Sequence, residues 1–272
     1  MMGLALRIVL SVSLGIDLTF PAGQARADLP VRPRPGCATE AQPDLLQNLS
    51  QDGDLILASG RVAKLAGIRL PNETPYREQA LAWLHARRSE PVLVQAVAGP
   101  DRWNRISVRI RSSNRSPSLV WSHGLVEAGL AITDADPHEP FCEPELLALE
   151  ATARERHLGL WADDRYKPLD VNRPEHLRDR IGSFVLIEGR VRSVGERKQR
   201  TYLNFGGLWA EDFTIIIPKK TWKQMSDRGM GADALKGRRI RARGILQPWQ
   251  GTAFSIVIPD MIERLEGGRL PR

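Results

Sequence analysis

Residues 52–73 read D-G-D-L-I-L-A-S-G-R-V-A-K-L-A-G-I-R-L-P-N-E, and residues 101–105 read D-R-W-N-R. In the first stretch, two apolar-rich segments flank a turn at Gly60, which is typical of a β-hairpin. The prolines of residues 71–75 end the sheet and precede a helical pattern. These signals predict a hairpin followed by a helix, with acidic and basic side chains at the ends of the hairpin.

Further strands and helices are predicted after this helix. The segment 91–98 is rich in Val and Ala, and 106–111 alternates between apolar and polar residues as a half-buried strand does. Two more helices are predicted, one ending at Gly129 and one over about 143–158. The order of strands, helix, strands and two helices predicts an α+β domain around a small β-barrel with three helices.

The C-terminal third of the chain has a different pattern. Five strands are predicted here, with a short helix over 220–225 between the third and the fourth. They are 184–193, 201–205, 213–218, 239–246 and 253–258. This order is that of an oligonucleotide-binding (OB) barrel, so we expect a second, mostly β OB-like domain.

Positive charge is concentrated in that second domain. Residues 28–170 contain 17 Lys+Arg and 20 Asp+Glu, a net charge of −3, whereas residues 171–272 contain 20 and 11, a net charge of +9. A basic domain indicates a polyanionic partner: nucleic acid (DNA or RNA) first, or else an anionic envelope polymer or lipid. The pattern predicts no partner protein.

The first 27 residues have the features of an export signal. Arg7 precedes the mostly apolar segment 8–20, and Ala25 and Ala27 form a small-x-small cleavage site. Cleavage after Ala27 predicts a periplasmic or secreted protein, and a retained membrane anchor is the alternative if the segment stays uncleaved.

Two cysteines, Cys37 and Cys142, follow the expected cleavage site. In an exported chain such a pair predicts a disulfide, with two free thiols as the alternative. Neither cysteine has a second Cys or His at ligand spacing, which argues against zinc.

Five motifs in order resemble the staphylococcal nuclease (thermonuclease) family. They are D-G-D, R-V-A-K-L-A-G-I-R-L-P, D-R-W-N-R, G-L-V-E-A-G-L-A and E-x-x-A-R-x-x-x-x-G-L-W. The resemblance implies a staphylococcal nuclease fold, and exported bacterial members of this type carry a C-terminal OB-like extension. The expected organisation is a signal peptide (1–27), a lead-in with Cys37 (28–50), a nuclease-like domain (51–165), a linker (166–180) and a basic OB-like domain (181–266).

The resemblance also implies a phosphodiesterase site, of which Asp54 would be one Ca²⁺ ligand. Arg69 stands at the second ligand position, where a guanidinium cannot bind calcium and could instead pair with Asp54. Lys64 replaces a phosphate-binding arginine, while Arg105 is retained. The resemblance thus implies that Ca²⁺ binds here, but the residue types at these positions argue against it.

The position of the general base is altered as well. Asn72 occupies it and cannot accept a proton at neutral pH, and Glu73 follows one residue later as a displaced base. Two hypotheses therefore remain open. One is a phosphodiesterase that uses Asp54, Lys64, Glu73 and Arg105. The other is an inactive protein that binds nucleic acid or another polyanion.

The second domain contributes further candidates for nucleic-acid binding. Single strands bind OB barrels by stacking on aromatic rings beside a basic groove. The aromatic candidates are Tyr202, Phe205, Trp209 and Trp249, of which Tyr202 and Phe205 are alternatively core residues. The basic candidates are Lys198, Arg200, Arg239, Arg241 and Arg243, the last three sharing one face of a strand.

Overall fold

Five strands form a closed barrel in the first half of the chain. The computed structural model describes residues 37, 39–114, 116–207 and 212–265. The strands of this half are β1 (Ala41–Leu49), β2 (Leu55–Leu57), β3 (Val62–Leu65), β4 (Ile68–Arg69), β5 (Pro91–Ala96), β6 (Arg105–Ser112) and β7 (Ile132–Thr133), and its helices are α1 (Tyr76–His85), α2 (Trp121–Glu127) and α3 (Leu146–Glu155). Around the barrel the order is β1-β2-β3-β6-β5, and only the β3–β6 pair is parallel.

Strand β1 lies in the segment that the sequence analysis treats as a polar lead-in. It pairs with β2 on one side and with β5 on the other, and thereby closes the barrel. Its burial does not alternate regularly, because the register shifts between Leu46 and Asn48. This irregularity, together with four polar residues among nine, hides the strand from a period-two search.

The other strands and helices of this half follow the predicted pattern. In β5, Val92 and Val94 are buried while Leu93 is exposed, as expected for a strand with one face on the core. Helix α1 buries Ala80 and Leu84, which are one turn apart and share a face. The predicted strand over 61–70 is divided into β3 and β4, since β4 leaves the barrel to pair with β7.

The second half contains β8 (Leu169–Asp170), β9 (Phe184–Arg190), β10 (Ser193–Glu196), β11 (Arg200–Asn204), β12 (Phe213–Pro218), β13 (Arg239–Ile245), β14 (Gln247–Trp249), β15 (Gly251–Ser255) and β16 (Ile262–Arg264), with helices α4 (Pro174–Arg178), α5 (Lys219–Asp227) and α6 (Ala232–Leu235). One sheet has the order β10-β11-β12-β15-β14, and the other has the order β16-β13-β9-β8. Strand β9 continues after two residues into β10, and β13 continues after one residue into β14. The pairings therefore return to their starting strand, which is the strand order of an OB barrel.

The two barrels share an apolar interface. Trp161, Leu160 and Ile132 of the first half form a buried cluster with Leu186 of β9. Arg243 of β13 lies beside this cluster, and its Nη1 is 2.8 Å from Oε2 of Glu150 in α3, with both side chains fully buried. The expected α+β class, with a small barrel and a second OB-like module, is confirmed.

The predicted disulfide is present between Cys37 and Cys142, whose Cα atoms are 5.6 Å apart. It ties the segment before β1 to the segment before α3 and encloses most of the first barrel. The expected signal peptide, residues 1–27, lies outside the described residues. None of the helices in the described part of the chain has the length and apolarity that a membrane crossing requires.

Candidate functional site

A pocket of about 690 Å³ contains most of the positions that the family resemblance singles out. Asp54, Lys64, Arg69, Asn72 and Arg105 line it. Arg77, Asp134, Asp136 and Glu139 add charged groups, and residues of the second barrel form part of its wall. The pocket thus lies where the first barrel faces the second.

Asp54 is placed by the turn that precedes β2. Gly53 has a φ of +86°, a conformation that glycine adopts without strain. The backbone N–H of Asp54 donates to Ser50 Oγ (3.0 Å), and the backbone N–H of Ser50 donates to the Asp54 carbonyl (2.8 Å). The carboxylate then faces Arg105, whose Nη1 is 3.2 Å from Asp54 Oδ1.

Arg105 is held by the loop in which it lies. The Oδ1 atom of Asp101 accepts hydrogen bonds from the backbone N–H groups of Trp103 and Arg105, at 2.9 and 3.0 Å. Its Oδ2 accepts from Nε and Nη2 of Arg105, at 3.0 and 2.9 Å. Burial acts to raise the pKa of Asp101, but these hydrogen bonds outweigh it and lower the pKa to about 2. Asn104, in the same loop, has a left-handed φ of +60°, a conformation that asparagine adopts more readily than most residues.

Arg69 pairs with Asp134 and not with Asp54, so the expected Arg69–Asp54 pair is wrong. Its Nη2 is 2.7 Å and its Nε 2.9 Å from Asp134 Oδ2, and its guanidinium lies 4.9 Å from the ring centroid of Phe184 in the second barrel. The reason is the pairing of β4 with β7, which brings the end of β7 next to Arg69. Burial raises the pKa of Asp134, and Arg69 only partly opposes this.

Lys64 contacts two carboxylates. Its Nζ lies 2.9 Å from Asp136 Oδ2 and 2.8 Å from Glu139 Oε1. Burial alone would lower the pKa of Lys64, but the hydrogen bonds to Glu139 and Asp136 raise it. Glu139 also accepts a hydrogen bond from the buried Ser107 hydroxyl. A phosphate oxygen would therefore compete with two carboxylates for this ammonium group.

Glu73 points away from the pocket. It forms an ion pair with Arg165, its side chain is 58% exposed, and it is not among the pocket-lining residues. The displaced general base would have to break this pair and move before it reached a water molecule in the pocket. Asn72, at the family position of the base, lines the pocket but has no proton-accepting group at neutral pH.

Three carboxylates of the pocket, Asp134, Asp136 and Glu139, were not predicted from the sequence. They lie in the segment 134–139, D-A-D-P-H-E, which directly follows β7. This density of acidic residues in a loop is a sequence signal for a charged site. The sequence gives no indication, however, that the loop returns to β3 and β4, because those contacts span 65 and 72 residues.

The donor set does not fit calcium. Asp54 is paired with Arg105, and a second cation, Arg69, stands where the family resemblance implies the other ligand. Within the described residues, no group of three or more His, Cys, Asp or Glu side chains is placed to hold a metal ion. Calcium prefers six to eight oxygen ligands, and a neighbouring guanidinium repels it.

The expected basic stripe on β13 is present, but its charges are paired. Arg239 and Arg241 bind Glu188 of the neighbouring β9, with N–O distances of 2.7 and 2.6 Å. Arg243 is buried between Glu150 and Glu263. The shared face is confirmed, yet it lies on the interface with the first barrel and not on an open groove. Arg243 in particular has no side-chain surface to offer a nucleic acid.

The remaining candidates of the second barrel lie on its surface. Lys198 and Arg200 are exposed at and beside the β10–β11 turn, Tyr202 is half-buried, and Trp249 is 47% exposed. Phe205 is buried and packs against Phe213, with ring centroids 5.3 Å apart, so it is a core residue. Trp209 lies outside the described residues.

Comparison with known proteins gives one family match. Residues 61–163 match the family model described as staphylococcal nuclease homologue. The match begins beside β3 and ends after the 3₁₀ turn at Gly159–Ala162, so it contains Lys64, Arg69 and Arg105. No match was found among curated proteins. The family match and the closed five-stranded barrel with its three helices identify residues 61–163 as part of a staphylococcal nuclease-like domain.

Proposed function

We propose that this chain binds nucleic acid through its pocket without cutting it by the calcium-dependent route. One observation carries the proposal: three acidic positions of the pocket are paired with the chain's own cations. Asp54 pairs with Arg105, Asp134 with Arg69, and Asp136 with Lys64. Catalysis of the family type needs a metal ion and a base near the phosphate. The pairs engage the acidic groups that would bind the metal, and Asn72 stands where the resemblance implies the base.

The capacity to hold phosphate supports binding. Arg105 keeps a quarter of its side chain exposed. Asp101 accepts from its Nε and Nη2, so Nη1 is the nitrogen that Asp54 and a phosphate oxygen would share. Arg77 also lines the pocket, and within the described residues it makes no ion pair, only a hydrogen bond to the Gln51 carbonyl. Trp103 lies beside Arg105 and is 59% exposed, which gives a base a ring to stack on.

We also propose that the protein works in the periplasm or outside the cell. The Cys37–Cys142 disulfide fits an oxidising compartment, where such bonds persist. The sequence of residues 1–27 has the features of an export signal, which agrees with this location. An N-terminal sequence of the protein purified from its native host tests it: a start at Asp28 supports export, and a start at Met1 or Met2 contradicts it.

Substitution of Asp54 separates binding from hydrolysis. If the chain is a binder, Asp54→Asn releases Arg105 from a competing carboxylate, and affinity for single-stranded DNA increases about two- to fivefold, since a partly exposed ion pair contributes up to about 1 kcal/mol. If the chain is a calcium-dependent nuclease, the same substitution abolishes cleavage. The assay incubates labelled single- and double-stranded DNA and RNA with protein, in calcium and in chelator.

The expected result is no cleavage in either condition and binding that weakens with salt, by about 0.7 log units per phosphate contact per log unit of salt. Lys236→Gln is the matched control, because Lys236 is exposed beyond α6, outside the pocket. Calcium-dependent cleavage that Asp54→Asn removes would overturn the proposal. Salt-insensitive binding would also count against it.

A further inference from the structure

The pocket has a second wall that comes from the OB barrel. Phe184, Ile245, Gln247, Ser255 and Val257 line it opposite the charged groups of the first barrel. Ile245 and Val257 are 44% and 37% exposed, which is unusual for large apolar side chains. An apolar wall facing charged groups suits a ligand that is anionic on one side and apolar on the other.

Strand register shows that this wall continues onto the outer face of the five-stranded sheet. Ser255 of β15 lies opposite Ile216 of β12, and Ile216 lies opposite Tyr202 of β11. Directly opposite residues point to the same face, so Ser255 and Tyr202 share it. The alternate residues Thr201 and Leu203 are fully buried, which identifies the Tyr202 face as the outer one. At about 4.8 Å per strand, Tyr202 lies only about 10 Å from Ser255.

The same face carries the exposed tryptophan. Gln247 of β14 lies opposite Ala253, which is two residues before Ser255 and therefore on its face. Trp249 is two residues beyond Gln247 on the same strand and shares this orientation. The outer face thus presents Tyr202 and Trp249 on its flanking strands β11 and β14, while Ile216 and Ala253 on the strands between them are 6% and 2% exposed.

Cations lie at both ends of this surface. Arg200, two residues before Tyr202, points to the same face, and Lys198 belongs to the adjoining turn. Lys220 is the second residue of α5, which begins beside that turn, since the backbone N–H of Lys219 donates to the Gln199 carbonyl at 3.1 Å. In the described part of the chain, Lys198, Arg200 and Lys220 make no ion pair. At the pocket end lie Arg77 and Arg105.

The path is preformed, because the two barrels are fixed to each other. Arg243 and Glu150 form a buried ion pair across the interface, and Arg69 contacts Phe184. A ligand that spans both barrels would therefore not have to bring them together first, and its affinity would not include that cost.

We propose that the pocket and the outer face of the five-stranded sheet form one continuous site for single-stranded nucleic acid. This rests on the proposed function. The strand's phosphates contact Arg105 and Arg77 at one end and Arg200 and Lys198 at the other, and unpaired bases stack on Tyr202 and Trp249 between them. A duplex keeps its bases stacked inside and cannot use these rings, so single strands are favoured.

The test measures the affinity of the full-length chain for labelled oligothymidylates of 3, 6, 9 and 12 nucleotides by fluorescence anisotropy. Affinity is expected to increase with length until the path is filled, within the range of about 4–16 nucleotides that OB barrels cover. Trp249→Ala is expected to weaken the 12-mer about 5- to 100-fold, and Arg200→Gln to reduce its salt slope by about 0.7. Both variants should leave the trimer unchanged, and Lys236→Gln should change neither length.

Ser255→Glu tests continuity directly. It places a negative charge where the pocket wall meets the sheet face, so it is expected to weaken the 12-mer more strongly than the trimer. Absence of binding at every length would refute the proposed function itself. Binding that is independent of length, unaffected by Trp249→Ala and Arg200→Gln, or equal for duplex DNA would refute the continuous site alone. Binding of anionic vesicles without any oligonucleotide binding would overturn both.

Discussion

Replacement of Arg243 by methionine is expected to destabilise the fold by about 3 kcal/mol. Removal of one partner from a buried ion pair costs about 3–5 kcal/mol, because the other charge is left without compensation. Glu150 would keep two contacts: Arg154 at 3.0 Å and the backbone N–H of Thr133 at 2.7 Å. The loss should therefore lie at the lower end of that range, and methionine retains most of the apolar volume of the arginine stem.

Thermal and guanidinium unfolding, followed by circular dichroism, measure this loss. For a chain of this size, about 3 kcal/mol corresponds to a decrease in Tm of about 6–12 °C. Arg239→Met is the matched control on the same strand. It removes a partly exposed pair with Glu188 and should cost about 1 kcal/mol or less.

The double variant Glu150→Leu/Arg243→Met replaces both buried charges with apolar groups. It should recover at least half of the stability lost in Arg243→Met, because no buried carboxylate is left uncompensated. If Arg243→Met is no less stable than Arg239→Met, the buried pair does not hold the barrels together, and the argument for a preformed path is refuted.

Three further predictions concern stability. Gly129→Ala should lower the free energy of unfolding by about 2 kcal/mol or more, because φ is +67° and a Cβ there would lie 2.1 Å from the Leu158 carbonyl oxygen. Gly60→Ala, with φ of +83° and no atom within 4 Å, should lower it by only about 1–2 kcal/mol. Urea unfolding measures both changes. Removal of the disulfide by Cys37→Ser/Cys142→Ser should cost about 2–5 kcal/mol, and a reductant should then have no further effect on that variant, so continued sensitivity to reductant would contradict the assignment. The pKa of Asp101 is lowered to about 2, so its contribution to stability is complete above about pH 4 and is lost as the pH falls through 2. Asp101→Asn should flatten the pH dependence of stability in that interval. An unchanged profile would contradict the loop geometry.

Local sequence patterns predicted most of the secondary structure. Strand β12 spans Phe213–Pro218 as expected, because a run of β-branched residues between turn signals is unambiguous. The disulfide was predictable too, since the two cysteines of a chain that is expected to be exported favour pairing with each other. Strand β1 was not predictable, because its bulge and polar residues disrupt the alternation on which strand prediction depends.

The sequence by itself also predicted an altered nuclease-type site, since the family resemblance puts Arg69 and Asn72 where a metal ligand and a base are expected. Only the tertiary structure decided what these and the neighbouring charges do. Arg69 pairs with Asp134, which is 65 residues away in sequence. Glu73 pairs outside the pocket with Arg165, which is 92 residues away, and Arg243 is buried against Glu150, which is 93 residues away. The physical reason is the distance in sequence between the interacting residues. Strand and turn preferences depend on neighbouring residues, whereas the partner of a charged side chain depends on which distant segments the fold brings within about 3 Å of it.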